Sequence, residues 1–182
     1  IPLRLVGSEM CIRDRYTRIK FLFTNSGGTD LKTAIIIGAS TGIGRATALA
    51  LSGKYNSISI TSFKHKEELL SLRDELMAKG CICYCETGDA GDMEFMEKFI
   101  QNTIDHLGSD IDLLINNAGI SYVGLINDMT AQDFDRTMKS NVYSVFNSCR
   151  LVVPHMIQHH KGHIINISSV WGNVGASCEV AY

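Results

Sequence analysis

The chain has 182 residues, 45% hydrophobic and 20% charged, with 16 glycines and only 2 prolines, a composition that fits one globular domain and excludes disorder or collagen-like repeats. Lys and Arg number 17 against 19 Asp and Glu, a net charge of −2, so no basic field gathers nucleic acid or anionic lipid. No apolar run approaches the roughly 20 residues of a membrane span, and the amino end lacks the apolar core and cleavage site of a secretory signal. The expected setting is the cytoplasm, with no nucleic-acid or membrane partner.

Charge divides unevenly along the chain. Residues 1–32 hold six basic and three acidic side chains, against eleven and sixteen in the remainder. Arg4, Arg13, Arg15, Arg18 and Lys20 follow neither helical nor strand period, and residues 25–30 read as coil. Residues 9–15 are compatible with translation of a transposon-end adapter used in DNA libraries, and Gly27 and Gly28 with a ribosome-binding site ahead of a start at Leu31. Residues 1–32 are therefore expected to be a non-native or disordered leader outside the fold.

Residues 33–37 (TAIII) form a short β-branched run that leads into Gly-Ala-Ser-Thr-Gly-Ile-Gly at 38–44 and a helical stretch at 45–54: strand, glycine turn, helix. Residues 57–61 (SISIT) predict a second strand. A helix follows over 67–79, with Leu69, Leu70, Leu72 and Leu76 apolar and Gly80 as its stop. The pattern continues with a strand at 81–85, an amphipathic helix at 93–107, a strand at 112–116, a long helical region at 130–160 and a fifth strand at 163–167. Uniformly apolar strands alternating with helices predict a parallel sheet covered on both faces. Right-handed crossovers make this an α/β, doubly wound, Rossmann-like three-layer fold over residues 33–182.

The glycines at 38, 42 and 44 sit where a nucleotide-binding turn needs them. Gly38 permits the tight turn, Gly42 lets backbone N–H groups approach a pyrophosphate, and Gly44 lets the helix pack closely on the sheet. Ser40, Thr41 and Ile43 complete the loop, and the helix amino end favours the anion. A site for NAD(H) calls for a carboxylate at the end of the second strand to hold the ribose 2′-hydroxyl. Phe63, Lys64, His65 and Lys66 stand there instead, which favours NADP(H) over NAD(H).

Together with that spacing, Asn116-Asn-Ala-Gly119, Asn141 within Ser140-Asn-Val-Tyr143, and Ser169 ahead of Tyr182 make residues 33–182 resemble the short-chain dehydrogenase/reductase family. The resemblance implies a catalytic trio. Tyr182 donates a proton to the substrate carbonyl, Ser169 hydrogen-bonds and orients that oxygen, and Asn141 holds a water in the proton relay. It also implies that Asn116, Ala118 and Gly119 line the adenosine and ribose side of the cofactor, and that Asp89 contacts adenine. Thr41 stands where many NADPH-preferring members carry a basic residue.

The overall chain is similar to the family's 3-oxoacyl-acyl-carrier-protein reductases. Trp171-Gly172 and residues 176–180 look more like the branch that reduces a 5-aminopentanone group on elongation factor P. There Glu179 would face a cationic amine, with Trp171 beside it as a substrate residue. The expected partner is thus a ketone, either a small molecule or one carried on a protein, elongation factor P included. The family also implies a homodimer or homotetramer through the helical region at 130–160.

The family's active site continues with Lys four positions after the Tyr, and the chain ends at Tyr182. The expectation is a fragment truncated after the fifth strand and catalytically inactive by itself. A non-catalytic dinucleotide-binding module is the alternative, and the trio of Asn141, Ser169 and Tyr182 argues against it. No metal site is expected. Cys81, Cys83 and Cys85 lack the loop spacing of zinc ligands, and His155, His159, His160 and His163 gather at a helix end where imidazoles suit the dipole.

Overall fold

A computed structural model of the chain describes residues 32–108 and 110–182, so apart from Lys32 the expected leader lies outside the described residues. Five strands form one sheet: β1 (Thr33–Ile37), β2 (Ser57–Ser62), β3 (Ile82–Thr87), β4 (Ile111–Asn116) and β5 (His163–Asn166). Their order is β3-β2-β1-β4-β5, and every pairing is parallel. Five α-helices connect them: α1 (Gly42–Leu51), α2 (Lys66–Ala78), α3 (Met93–Leu107), α4 (Ala131–Met138) and α5 (Ser144–Gln158). The doubly wound α/β architecture expected from the strand and helix alternation is the one observed.

The apolar pattern decides where each strand sits. All five residues of β1 are buried, so β1 takes the sheet centre, with helices covering both its faces. On one face Ile35, Ile37 and Leu114 meet Met96, Phe99 and Ile100 of α3 and Val152 of α5, each side chain worth about 1.5–3 kcal/mol of burial. α1 and α2 touch each other and pack on β1, β2 and β3, while α3 and α5 touch each other and pack on β2, β3 and β4. Where β1 joins β4 the register skips one residue after Thr33, and the Thr33 N–H donates to the Asp112 carboxylate at 2.9 Å in place of a ladder bond.

Both faces of β2 are buried, its serines and threonine included. The polar face survives burial because Ser59 Oγ meets Thr103 Oγ1 at 2.7 Å and Thr61 Oγ1 donates to the Glu86 carbonyl at 2.7 Å. α1 begins at Gly42, three residues earlier than expected, and ends at Leu51, where the Ser52 hydroxyl takes the Leu49 carbonyl at 2.7 Å and Gly53 turns left-handed at φ +89. β3 runs from Ile82 to Thr87, so Cys81 precedes it; its thiol donates to the Tyr55 carbonyl at 3.4 Å. Cys81, Cys83 and Cys85 are free thiols, and burial, then the neighbouring Cys85, pushes Cys83 up to about 12.

The largest departure is in the long helical region. Between α4 and α5 the chain widens into a π-helical turn, Lys139–Tyr143, while Met138 and Ser144 on either side keep ordinary helical angles. Such a turn inserts one residue without breaking the axis and is frequent at functional sites.

Candidate functional site

The carboxyl ends of β1, β2, β3 and β4 open onto a cleft of about 480 Å³, at the point where strand order reverses between β1 and β4. That crevice is where open α/β sheets take ligands. Its floor is built by close backbone approach. Gly38, at φ +81, hands its N–H to the Thr61 carbonyl at 2.9 Å, and a Cβ there would stand 2.7 Å from the Ala118 backbone. A Cβ on Gly44 would collide with the Gly38 carbonyl oxygen and come within 2.7 Å of Asn117 Nδ2. Gly42 differs, because nothing lies within 4 Å of the Cβ it lacks. The first two glycines let protein pack on protein; the third leaves open space at the helix end.

The amino end of α1 is primed for an anion. Its cap residue Thr41 makes no side-chain capping bond, and no acidic residue occupies the first turn, which leaves N–H groups and the positive dipole end unanswered. α5 continues directly from the π-turn, and the three remaining helix starts carry caps or acidic residues. Asp92 caps α3, Thr130 and Asp133 form a capping box on α4, and α2 carries Glu67 and Glu68 in its first turn.

Of the residues expected to hold a cofactor, Gly38, Ser40, Thr41, Lys64, Asp89, Ala118 and Gly119 line the cleft. Gly42, Ile43 and Gly44 form the first turn of α1 beside it. Asn116 does not line the cleft. It lies 3% exposed behind the cleft, donating to Asn166 Oδ1 at 2.8 Å and accepting from Ser148 Oγ at 2.7 Å, so its amide ties β4 to β5 and α5. The neighbouring Asn117 lines the cleft in its place and donates to the Gly38 carbonyl at 2.7 Å. Paired asparagines at a strand end are read apart only by facing: in an extended chain one points into the sheet layer and the next points out.

The charge in the cleft is mostly basic. Among the described residues, Lys64, Arg136 and Lys139 line it against one carboxylate, Asp89, with His65 beside them. No acidic residue stands at 62–66, and Ser62, at the end of β2, spends its hydroxyl on the Lys64 carbonyl at 2.5 Å. The Lys64 ammonium lies 5.7 Å from the Phe63 ring centre, a cation–π contact of modest strength. Asp89 takes the Gly91 N–H at 2.9 Å and pairs with Lys139 at 3.0 Å. Arg136 and Lys139 escaped the sequence reading, although their three-residue spacing puts them on one helical face.

The expected catalytic residues lie outside this lining. Asn141 sits within the π-turn and grips Ile120 from both sides, its Oδ1 accepting from the Ile120 N–H and its Nδ2 donating to the Ile120 carbonyl, each at 2.8 Å. Ser169 caps a short 3-10 turn, Val170–Gly172, with Oγ accepting from the Trp171 N–H at 3.2 Å. Tyr182 is 43% exposed and anchored through its N–H to the Glu179 carbonyl at 3.2 Å. No hydrogen bond joins Ser169 to Tyr182 directly. Glu179 accepts from Ser121 Oγ at 3.1 Å, and Gly124 N–H donates to the Cys178 carbonyl at 2.8 Å, so the loop after β4 and the segment after β5 hold each other. Trp171 is 45% exposed.

The residues present fit a dinucleotide: an unanswered helix terminus, an open glycine, a basic wall and a switch-point crevice. Among the described residues no helix is long and apolar enough to cross a membrane.

Comparison with known proteins agrees with this geometry. A 3-oxoacyl-acyl-carrier-protein reductase of Staphylococcus aureus is 33% identical over 151 residues, covering 83% of this chain and 61% of its own. An NADPH-dependent pterin aldehyde reductase of Arabidopsis thaliana is 33% identical over 152 residues, with 83% and 62% covered. The chain thus spans about three-fifths of the length of these relatives. A crystal structure of an actinorhodin polyketide ketoreductase with NADPH superposes with a TM-score of 0.79 at 24% identity, over 86% of this chain and 60% of that one, and so shares the fold. The short chain dehydrogenase profile runs through residues 32–182, every described element of the sheet included, and this chain belongs to that family of oxidoreductases.

Proposed function

We propose that this chain serves NADPH-dependent reduction of a ketone to a secondary alcohol. The observation that carries the reading is the cleft itself. An uncapped helix terminus faces a wall of Lys64, Arg136 and Lys139, and the end of β2 offers no carboxylate to a ribose 2′-hydroxyl. A 2′-phosphate gains charge-assisted hydrogen bonds there.

When bound, the reduced nicotinamide supplies the hydride. The side chains would do the rest. Ser169 Oγ accepts one bond from Trp171 and keeps its own proton to donate to a carbonyl oxygen. The Tyr182 phenol donates the proton that the developing alkoxide needs. Asn141, with one donor and one acceptor committed to Ile120, retains one N–H and one lone pair for a water. Ala118 and Gly119 would flank the ribose, and Asp89 the adenine.

The 33% identity to a 3-oxoacyl-acyl-carrier-protein reductase favours a 3-oxoacyl thioester as substrate. One observation supports a second reading. Glu179 forms no ion pair among the described residues, only the bond from Ser121, and an amine-bearing ketone such as the 5-aminopentanone on elongation factor P would complement its charge. Trp171 would wall that pocket. Phe134, Val142, Tyr143 and Phe146 stand exposed along α4, the π-turn and α5, and we propose that they support a homodimer or homotetramer. The proposed setting is the cytoplasm.

Titration with NADPH and NADH tests the cofactor. We expect NADPH to bind at least about tenfold tighter, with Lys64→Glu removing most of that margin. Equal affinity for both would overturn the assignment. Competing 3-oxoacyl thioester against aminoketone in an enzyme containing this sequence, with Glu179→Gln as the variant, decides the substrate. Selective loss of the aminoketone supports the second reading.

A further inference from the structure

The ion pair between Asp89 and Lys139 crosses the cleft wall at 3.0 Å, and both residues line the cleft. It resembles an incidental surface contact until its surroundings are considered. The loop after β3 is held against the helical layer at three points. Lys139 takes Asp89 Oδ2, the missing side chain of Gly91 leaves room for the Lys139 carbonyl and Cγ, and Asn147 Nδ2 donates to the Ala90 carbonyl at 3.2 Å. The Gly91 N–H holds the other carboxylate oxygen at 2.9 Å. The Asp89 carboxylate is therefore fixed from both ends, with lone pairs remaining on each oxygen.

Lys139 is also the first residue of the π-turn whose third residue, Asn141, grips Ile120. One irregular turn thus holds both the β3 side and the β4 side of the same cleft. A dinucleotide whose pyrophosphate sits at the start of α1 must lay its adenosine toward β2 and β3, since the phosphate loop separates that half from β4. An adenine ring carries one exocyclic amine, and a carboxylate is a pure acceptor. Among the described residues, Asp89 is the one acidic side chain in the lining.

We propose that Lys139 is a positioning residue for base recognition, holding the Asp89 carboxylate as a fixed acceptor for the exocyclic amine of adenine. This rests on the dinucleotide reading above. Removing the ammonium leaves the carboxylate held by one N–H, able to turn away from the base or to accommodate another one. The effect is on discrimination between bases more than on the fold, because the Lys139 side chain is 46% exposed.

The test compares NADPH with its hypoxanthine analogue, in which a carbonyl replaces the amine, by calorimetric titration of the chain, without any turnover. Wild type is expected to favour adenine by about tenfold, the order of one net hydrogen bond to a partly exposed carboxylate. Lys139→Met should compress the ratio below about threefold with an unchanged melting temperature, and Lys139→Arg should restore it. A Lys139→Met protein that keeps the wild-type ratio overturns this inference alone, as does a wild type indifferent to the base. If wild type binds neither dinucleotide, the function proposed above falls, and this inference with it.

Discussion

Replacing Gly38 by Ala attacks the floor of the cleft in two ways whose sizes can be separated. At φ +81 an L-residue carries about 1–2 kcal/mol of left-handed strain. The added Cβ also lands 2.7 Å from the backbone N and Cα of Ala118, and both atoms belong to chain that cannot rotate away. Displacing a packed segment by several tenths of an ångström costs about 1–3 kcal/mol. The expected loss is therefore about 2–5 kcal/mol, a large part of the 5–15 kcal/mol typical of a domain. Gly53→Ala is the control. It has a comparable φ of +89 with nothing within 4 Å, so only the strain of about 1–2 kcal/mol applies. Urea unfolding followed by far-UV circular dichroism measures both, provided the slope with denaturant stays constant. Gly38→Ala should also weaken NADPH binding, since Ala118 shares the cleft wall. If the two variants lose the same stability, the close approach of the glycine loop to Ala118 is not what the position requires, and the reasoning fails.

Asn116→Leu should destabilise by about 1–3 kcal/mol for each partner left unsatisfied, namely Ser148 and Asn166, while NADPH affinity in the surviving folded protein stays within about twofold. Calorimetry gives both numbers. Asn141→Leu removes both bonds to Ile120, and hydrogen exchange at the Ile120 amide should accelerate by about tenfold or more. Alkaline stability should fall between pH 9 and 12. Burial, then Cys85, pushes the Cys83 thiol from 9.0 up to about 12, and burial, then Asp112, pushes the Tyr55 phenol from 10.0 up to about 12. The folded state then binds more protons than the unfolded one across that interval, so stability present below the unfolded values is lost as pH rises through the folded ones. Cys83→Ala should flatten the early part of the decline in melting temperature from about pH 9; an unaltered curve would remove Cys83 from the explanation.

Much of this was legible in the sequence, and the reason is the parallel sheet. Strands buried on both faces must be apolar throughout, and Ile35–Ile37 and Leu113–Ile115 announce themselves by that alone. The phosphate-binding turn was legible for the same kind of reason, because few residues can occupy Gly38 and Gly44 when backbone sits where a side chain would go. What escaped depends on contacts far apart in the chain. The burial of Ser59 is tolerable only because Thr103 stands across from it. The π-turn exists where Asn141 meets the backbone of Ile120, a partner that no local window contains. Asn116 and Asn117 have one side chain chemistry and opposite facings, so the choice between sheet and cleft appears only once β4 is placed between β1 and β5. Lys139 reads as a solvated helix residue until Asp89 is seen opposite it.

The position of β1 at the centre of the sheet also governs how the chain can be made. β2 follows β1 directly and pairs along one of its edges, but the other edge belongs to β4. During synthesis the β1–β2–β3 half can assemble while the hydrogen-bonding groups of Ala34–Ile37 on the β4 side still face water, and they stay so until Ile111–Asn116 has left the ribosome. An apolar, unpaired strand edge invites pairing with another nascent chain. Slow translation before β4 is free prolongs that exposure, so slow codons placed between residues 88 and 110 should lower the soluble yield of this family member.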